Sequence, residues 1–306
     1  MSGDLVPGED RPHFMIQSLP KTEERTEIMD QIVPAPASDA GQPAPAPPSS
    51  ERTRPMLSDA ELERRRGKPW TLRVASARDV TPNMRRIQLT ASDLSEFRPR
   101  AAQEIVLQLP QADGEPARRH YTIRAFDPAA QLIDVDVVLH GDASPGVRWA
   151  REAKIGDVVE IRGPRGRMAV ATDASWHLFT GDETALPAIY ALVESLPAST
   201  EAFVFIEIGA ESDKQPLETA ATLHLTYLKR PGHPGPGRLM IDTVEKFTLP
   251  AGNGFAYILG ETSNVRAQRQ FLIERGLPRD RIYSEGYWRP GRIGGHDHVD
   301  DRSDAR

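Results

Sequence analysis

The hydrophobic pattern changes period partway along the chain, and that change limits the fold more than any single residue does. From Trp70 to Pro164 apolar residues alternate in short runs: WTLRVASARDV, MRRIQLT, EIVLQLP, RRHYTIRAF, LIDVDVVLH and DVVEIRGP. Alternation at period two marks strands with one buried face. The breaks at Thr81-Pro82-Asn83, ADGEP, DPAAQ and GDASPG carry the residues that let a chain reverse. One helical segment, Pro145 to Ala153, precedes the sixth run. Six strands so spaced predict a small antiparallel Greek-key barrel. From Trp176 onward strands and helices alternate: WHLFTGDE, the helix TALPAIYALVESL, strands EAFVFIEIG and HLTYLKR, the helix LMIDTVEKF, strand FAYILGE, the helix SNVRAQRQFLIERGL and strand IYSEGYW. That order predicts a parallel sheet with crossover helices. The expected fold is therefore two-domain, β followed by α/β: a six-stranded antiparallel Greek-key barrel over 56–172 and a parallel-sheet α/β nucleotide-binding domain over 173–291.

The two ends read differently. Residues 1–55 hold 10 of the 27 prolines, centred on PAPASDAGQPAPAPPSS, and few large apolar side chains. Such a stretch cannot bury enough surface to offset its ordering entropy, so it reads as a disordered Pro/Ala-rich tail, with a transient helix near Glu23 to Val33 and room to bind a protein partner. Ser58 with Glu61 is a capping-box pair that starts a short helix running to Lys68. Residues 292–306 are polar and read as a flexible tail.

Composition removes several function classes. A net charge of -6 argues against nucleic acid as a partner, because phosphate contacts need a basic face. The absence of cysteine excludes disulfides, cysteine-ligated clusters, zinc-thiolate sites and thiol nucleophiles. Electron transfer would then require a bound organic cofactor or a substrate metal. No apolar run approaches the roughly 20 residues that span a bilayer, and the first residues do not form a secretory signal. The expected compartment is the cytoplasm. His224, His233, His296 and His298 lack metal-ligand spacing, so no metal site is expected, and no G-x-S-x-G supports a hydrolase.

RHYTIRAFD, Arg119 to Asp127, gathers an arginine, a phenol and a hydroxyl on one strand. In extended conformation Arg119, Tyr121 and Ile123 face one way, and His120, Thr122 and Arg124 the other. The set suits a flavin: a guanidinium for the diphosphate, a ring for the isoalloxazine and a hydroxyl for its redox-active nitrogen. An ordinary amphipathic edge strand would carry the same letters. Downstream, GDASPG opens a helix with Pro145 in its first turn. Free amides at a helix N-terminus attract an anion, and Gly146 permits close approach, although a routine capped helix reads the same. Two anion-competent features in one barrel point to a shared diphosphate. In the second domain GDETALP (Gly181 to Pro187) and GETSN (Gly260 to Asn264) end strands at the edge where open α/β sheets bind ligands. Neither is a G-x-G-x-x-G fingerprint, and Asp182, Glu183 and Glu261 read equally as helix caps.

Taken in order, these segments resemble the FAD-dependent siderophore-interacting proteins, a branch of the ferredoxin-reductase-like flavoproteins. The likeness runs from about Lys68 to Gly291. It rests on RHYTIR, on DVVLHGD with Trp149-Ala150, on GDVVEIRGPRG, on GDETALPAI, and on LGETSNVRAQRQFL with the closing GYWRPG. The resemblance implies a barrel that holds FAD, a second domain that receives NADH or NADPH, and reduction of a ferric siderophore so that iron is released inside the cell. It implies further that Arg119 meets the FAD diphosphate, Tyr121 packs on the isoalloxazine and Thr122 bonds near its N5, with Tyr121 and Thr122 as the catalytic pair. His120 and Val138 belong to the same implied FAD set, and the turn from His140 through Ser144 and Gly146 to Val147 would cradle the phosphates. Gly181, Asp182, Glu183 and Thr184, with Gly260 and Glu261, would border the nicotinamide, and Tyr287 and Trp288 would cover its approach.

The chain departs from similar members at three places. Val147 stands where a serine or threonine is frequent, which removes one hydrogen bond to a phosphate, about 1 kcal/mol. Gly181 and Leu259 stand where alanines are frequent, changes expected to be small. Ferric siderophores are often anionic, so a basic pocket is expected, with Arg100, Arg124 and Arg148 as candidates. Two other readings stay open: a flavin-binding interaction module without nicotinamide turnover, and a general flavin reductase.

Overall fold

The computed structural model describes residues 67–111, 114–141, 144–232 and 235–292, together with the backbone of Asp297–His298. The proline-rich stretch 1–55 and the body of the helix expected from Ser58 lie outside the described residues. Six strands, β1 (Pro69–Thr81), β2 (Met84–Thr90), β3 (Glu104–Leu109), β4 (Ala117–Asp127), β5 (Leu132–Val138) and β6 (Val158–Arg165), close a barrel in the order β1-β2-β5-β4-β3-β6. Every neighbouring pair is antiparallel. The meander β3-β4-β5 with β6 returning beside β3 is the Greek-key order. Alternation does the rest. Ile105, Leu107 and Leu109 of β3 turn inward to meet Leu72, Ile87, Leu89, Ile133, Val135 and Ile161 in one core, which sends Glu104, Val106 and Gln108 outward.

β4 pairs with β3 from Ala117 to Thr122 but with β5 only from Ile123 onward. One flank of the Arg119–Thr122 stretch thus has no strand beside it. The long connection from β5 to β6 carries α1 (Pro145–Glu152), whose first turn lies against Tyr121 and Arg119. A register shift between Ile123 and Ala125 falls at Arg124. Such a bulge re-aims the extra residue.

The second layer is a six-stranded sheet in the order β12-β11-β10-β7-β8-β9. Its elements are β7 (Trp176–Asp182), α2 (Leu186–Glu194), β8 (Glu201–Ile208), β9 (Thr222–Lys229), α3 (Leu239–Lys246), β10 (Gly254–Glu261), α4 (Thr262–Glu274), β11 (Ile282–Trp288) and β12 (Asp297–His298). All seven residues of β7 are buried. Unbroken burial of this kind, polar His177, Thr180 and Asp182 included, belongs to a central parallel strand covered on both faces. The chain moves outward from β7 to β8 and β9, then returns to β10 on the other side of β7, so the order reverses between β7 and β10. β12 pairs antiparallel with β11 at Glu285 and Gly286, inside the stretch that reads from sequence as a flexible tail.

Barrel and sheet share a core. Met84, Ala102 and Met168 pack in the same cluster as Phe179, Leu186, Ile189 and Tyr257. Polar ties flank it: the Arg124 guanidinium donates to both carboxylate oxygens of Glu194, at 2.6 Å to Oε2, and Asn83 Nδ2 donates to Asp213 Oδ1 at 2.8 Å.

Candidate active site

The first part of the site is the uncovered flank of β4. A Cβ placed on Gly146 would fall 2.0 Å from Tyr121 Oη and 3.5 Å from Arg119 Cγ. Only glycine lets the first turn of α1 lie this close to the phenol and the arginine stem. Ser144, extended at the N-cap, makes no side-chain capping bond, Pro145 sits at the first helical positions, and the first turn holds no acidic residue. Among the described residues no side chain accepts from the amides of that turn, which makes it competent to meet an anion. Burial pushes the Tyr121 phenol up to about 12, opposed by the Arg119 charge, so the phenol stays neutral and apolar in character. His140 and Ser144 border the same turn. Val147 is buried in the fold, and Val138 packs on the core shared with the sheet.

On the other face of β4, Thr122 meets the end of β11. Its hydroxyl hydrogen bonds the Tyr287 phenol, and burial holds that phenol well above its ordinary range, reinforced by Glu285, Tyr283 and Glu104. Tyr283 Oη donates to Glu285 Oε2 at 2.8 Å. Thr122 is paired with Glu104 in register, and Glu104 Oε1 shares a hydrogen bond with His120 Nδ1 at 2.9 Å and lies 3.1 Å from Arg165 Nε in an ion pair. Beyond this ion cluster, Arg118, His120, Arg162 and Arg165 with Val106 and Gln108 line a depression of about 140 Å³. It gathers three guanidinium groups on a chain that is acidic in total.

The second part lies at the carboxyl edge of the sheet, at the reversal between β7 and β10. Asp182 is buried; its Oδ1 accepts the Thr184 amide at 2.9 Å, and its Oδ2 accepts the Glu261 amide at 3.2 Å and Trp288 Nε1 at 2.7 Å. Burial pushes its carboxyl up, against the Thr184 and Trp288 bonds. Gly260 has φ +120° and a Cβ there would fall 2.7 Å from Asp182 Oδ2, so glycine is required on conformational and steric grounds together. Glu261 caps α4 by accepting the Asn264 amide at 2.9 Å. Glu183 caps nothing: it takes both terminal nitrogens of Arg230, at 2.8 Å from Nη1, and accepts the Gly209 amide at 2.7 Å.

The fold therefore brings Arg119, Tyr121 and Gly146 together, joins Thr122 to Tyr287, and joins Asp182 to Thr184, Glu261 and Trp288. It does not gather the three arginines singled out for substrate. Arg124 is held by Glu194 and lies over the Tyr190 ring at 5.6 Å. Arg100 reaches the Gly166 carbonyl, and Arg148 is exposed on α1. The basic depression uses Arg118, Arg162 and Arg165 instead, which sequence reading missed. Alternation places Arg118 and Arg162 on outward faces, but Arg165 shares the parity of the inward Ile161, and only the β4-β3-β6 register, with its shift between Glu104 and Val106, sets the three side by side. Gly181 is also more than a small change from alanine, since a Cβ there would stand 2.6 Å from Ala185 Cβ and 2.9 Å from Ile189 Cδ1.

Residues 98–168 match the sequence model of the siderophore-interacting FAD-binding domain, and residues 174–291 that of the siderophore-interacting protein. The chain is 32% identical over 237 residues to ferric vibriobactin reductase ViuB of Vibrio cholerae, covering 70% of this chain and 86% of that protein. Among solved structures, a siderophore utilization protein from T. fusca superposes with TM-score 0.69 at 33% identity, covering 76% of this chain and 96% of the other. The siderophore-interacting protein SipS from Aeromonas hydrophila gives 0.66 at 33% identity, covering 74% and 93%. The barrel-and-sheet arrangement is that of the ferredoxin reductases. With barrel cradle, sheet edge and sequence in agreement, this chain belongs to the siderophore-interacting protein family.

Proposed function

We propose that the chain is an FAD-dependent NAD(P)H:ferric-siderophore reductase that releases iron as iron(II) in the cytoplasm. The observation that carries this reading is the uncapped first turn of α1 lying on Tyr121 and the Arg119 stem, with glycine at the point of contact. FAD fits these residues. Its diphosphate needs donors and positive charge, which the α1 amides and Arg119 supply, and its ring system needs an aromatic neighbour and a hydroxyl, which Tyr121 and Thr122 supply. In this reading residues 56–172 carry the flavin and residues 173–291 receive the nicotinamide, bordered by Gly181 to Thr184, Gly260 and Glu261.

When bound, FAD would supply the hydride and single-electron chemistry that links NAD(P)H to iron(III). The chain's own residues position and exclude. Thr122 and Tyr287 hold each other where barrel and sheet meet and would offer the flavin fixed dipoles in place of water. Trp288, pinned by Asp182, would close the nicotinamide side. The face lined by Arg118, His120, Arg162 and Arg165 attracts an anionic ferric chelate to the neighbourhood of Thr122. Iron(II) binds hard oxygen donors more weakly than iron(III), so reduction loosens the chelate. The similarity to a vibriobactin reductase supports this substrate class.

The test is anaerobic. FAD-loaded chain should lose its oxidised flavin absorbance on addition of NADH or NADPH and regain it on addition of a ferric siderophore, with iron(II) appearing in a ferrous-specific trap. Failure of both nicotinamides to bleach the flavin overturns the reading and leaves a flavin-binding interaction module. Faster turnover with free FMN than with ferric siderophore makes the chain a general flavin reductase. Cell fractionation checks the compartment.

A further inference from the structure

An open cleft at the carboxyl ends of β7, β8 and β10 is walled by Asp182, Glu207, Arg230, Glu261, Asn264 and Gln268 among others. We propose that this cleft takes NADH and rejects NADPH, with Glu207 accepting from the adenosine ribose hydroxyls and the Glu183–Arg230–Glu207 cluster turning away a 2′-phosphate. The inference rests on the reductase reading above and names which of its two reductants the site accepts.

Position is the first argument. In open α/β sheets the dinucleotide lies across the strand-order reversal, and a carboxylate at the end of a neighbouring strand bonds the ribose hydroxyl of NAD, whereas NADP sites offer an arginine to the phosphate. Here the reversal lies between β7 and β10, and Glu207 stands near the carboxyl end of β8, next to β7.

Charge is the second. The one arginine on the cleft wall is already committed: Arg230 gives both terminal nitrogens to Glu183 and lies 3.7 Å from Glu207. All three side chains are largely buried. Redirecting Arg230 to a phosphate would leave Glu183 buried and unpaired, which is strongly unfavourable. Burial pushes the Glu207 carboxyl up, opposed by Arg230 and reinforced by Asp182 and Glu183. A dianionic phosphate would enter a site where carboxylates already repel one another. The diphosphate is common to both nucleotides and does not discriminate.

Hydrogen-bond polarity concerns nucleotide binding itself rather than the choice between the two, and is independent of charge. Gln268 is 2% exposed and faces the cleft, and its Oε1 has no hydrogen-bond partner among the described residues. Asn264 Oδ1, one helical turn earlier, is likewise buried without one. Two of the backbone amides that could have met an anion are taken, at Thr184 by Asp182 and at Asn264 by Glu261. Among the described residues the wall therefore presents two buried acceptors without donors, Asn264 Oδ1 and Gln268 Oε1, beside one buried donor without an acceptor, Arg230 Nε. Ribose hydroxyls and the nicotinamide carboxamide, common to NADH and NADPH, can donate to the two acceptors.

The test measures binding apart from turnover, on the full FAD-loaded chain titrated calorimetrically with NAD+ and with NADP+. NAD+ should bind tighter by about tenfold or more, the scale of a buried like-charge clash, and NADH should bleach the flavin correspondingly faster than NADPH. Glu207→Gln should shrink the NAD+/NADP+ ratio of affinities, and Gln268→Leu should weaken both nucleotides without changing that ratio. Equal affinities, or a ratio that Glu207→Gln leaves untouched, overturn the selectivity while sparing the reductase reading. Tighter NADP+ binding that is lost in Arg230→Gln overturns it by making Arg230 the phosphate ligand. Binding of neither nucleotide by a flavin-loaded chain overturns both readings together.

Discussion

The first turns of α1 and α4 each follow a strand and each border a cleft, yet one is open and the other closed. At α1 the N-cap Ser144 makes no capping bond, the turn has no acid, and Gly146 brings the backbone onto Tyr121 and Arg119. At α4 the N-cap Glu261 takes the Asn264 amide with its own carboxylate, and Asp182 does the same for Thr184 at the end of β7. Both helices have the same dipole. What differs is whether the chain fills the positive end itself, and so whether an outside phosphate gains anything there. The barrel keeps its donors for a ligand's charge; the sheet edge consumes its donors internally and presents acceptors. A molecule with a diphosphate belongs to the first place, and the uncharged parts of a second molecule to the other.

The contrast breaks most visibly at Gly146. Gly146→Val would force a side chain into the space of Tyr121 Oη, and we expect the protein to purify without flavin while still binding NAD+ calorimetrically, which reports that the sheet is intact. Retention of stoichiometric FAD by this variant would remove the α1 turn from the cofactor site. Ser144→Asp makes α1 resemble α4 by supplying the missing carboxylate. FAD affinity should fall roughly a hundredfold, in line with the several kcal/mol of a like-charge clash, while the flavin-free chain melts no lower, because an N-cap aspartate supports the helix. Equal FAD affinity in flavin titrations of variant and parent would show that the diphosphate lies elsewhere.

The sheet side should also be the acid-sensitive one. Burial lowers the His177 imidazole from about 6.5 to about 4. Between those values the unfolded chain takes up a proton that the folded chain refuses, so this contribution is whole above pH 6.5 and is lost as the pH falls toward 4. The loss is on the order of 3 kcal/mol. His177→Gln should flatten the dependence of the denaturation midpoint across that window, and an unchanged slope would clear His177. The smallest effect is expected at Glu261→Ala, which opens α4: about 1 kcal/mol of stability for a lost cap, read from urea melts, together with a narrower gap between NAD+ and NADP+ affinities.

Much of this contrast could be read along the chain. The strands from β1 to β11 and the helices from α1 to α4 follow from runs of period two or near 3.6, and the Arg119, Tyr121, Thr122 and Gly146 set follows from alternation plus helix-start chemistry. The Asp182 and Glu261 loops read as sites or as caps; in the structure Glu261 caps α4, whereas Asp182 accepts the Thr184 amide in the turn after β7 and does not cap α2. Other features were out of reach. Glu183 read like its neighbours, but its partner Arg230 lies 47 positions away. Arg124 read as a member of the ligand face, but the β4 bulge and Glu194 draw it into the joint between barrel and sheet. The pairing of Asp297–His298 with β11 needed only two residues, too few to leave a periodic signal.

The chain's own order of letters determined which segments become strands and helices, and which of them could offer a guanidinium, a ring, a hydroxyl and bare amides, because those properties are local to a turn or a strand. Only the tertiary structure decided which arginines share a face, which carboxylates are occupied and which acceptors stand without donors. Those depend on register between strands and on contacts across tens of residues, where burial, rather than residue type, decides whether a charge is available to a ligand.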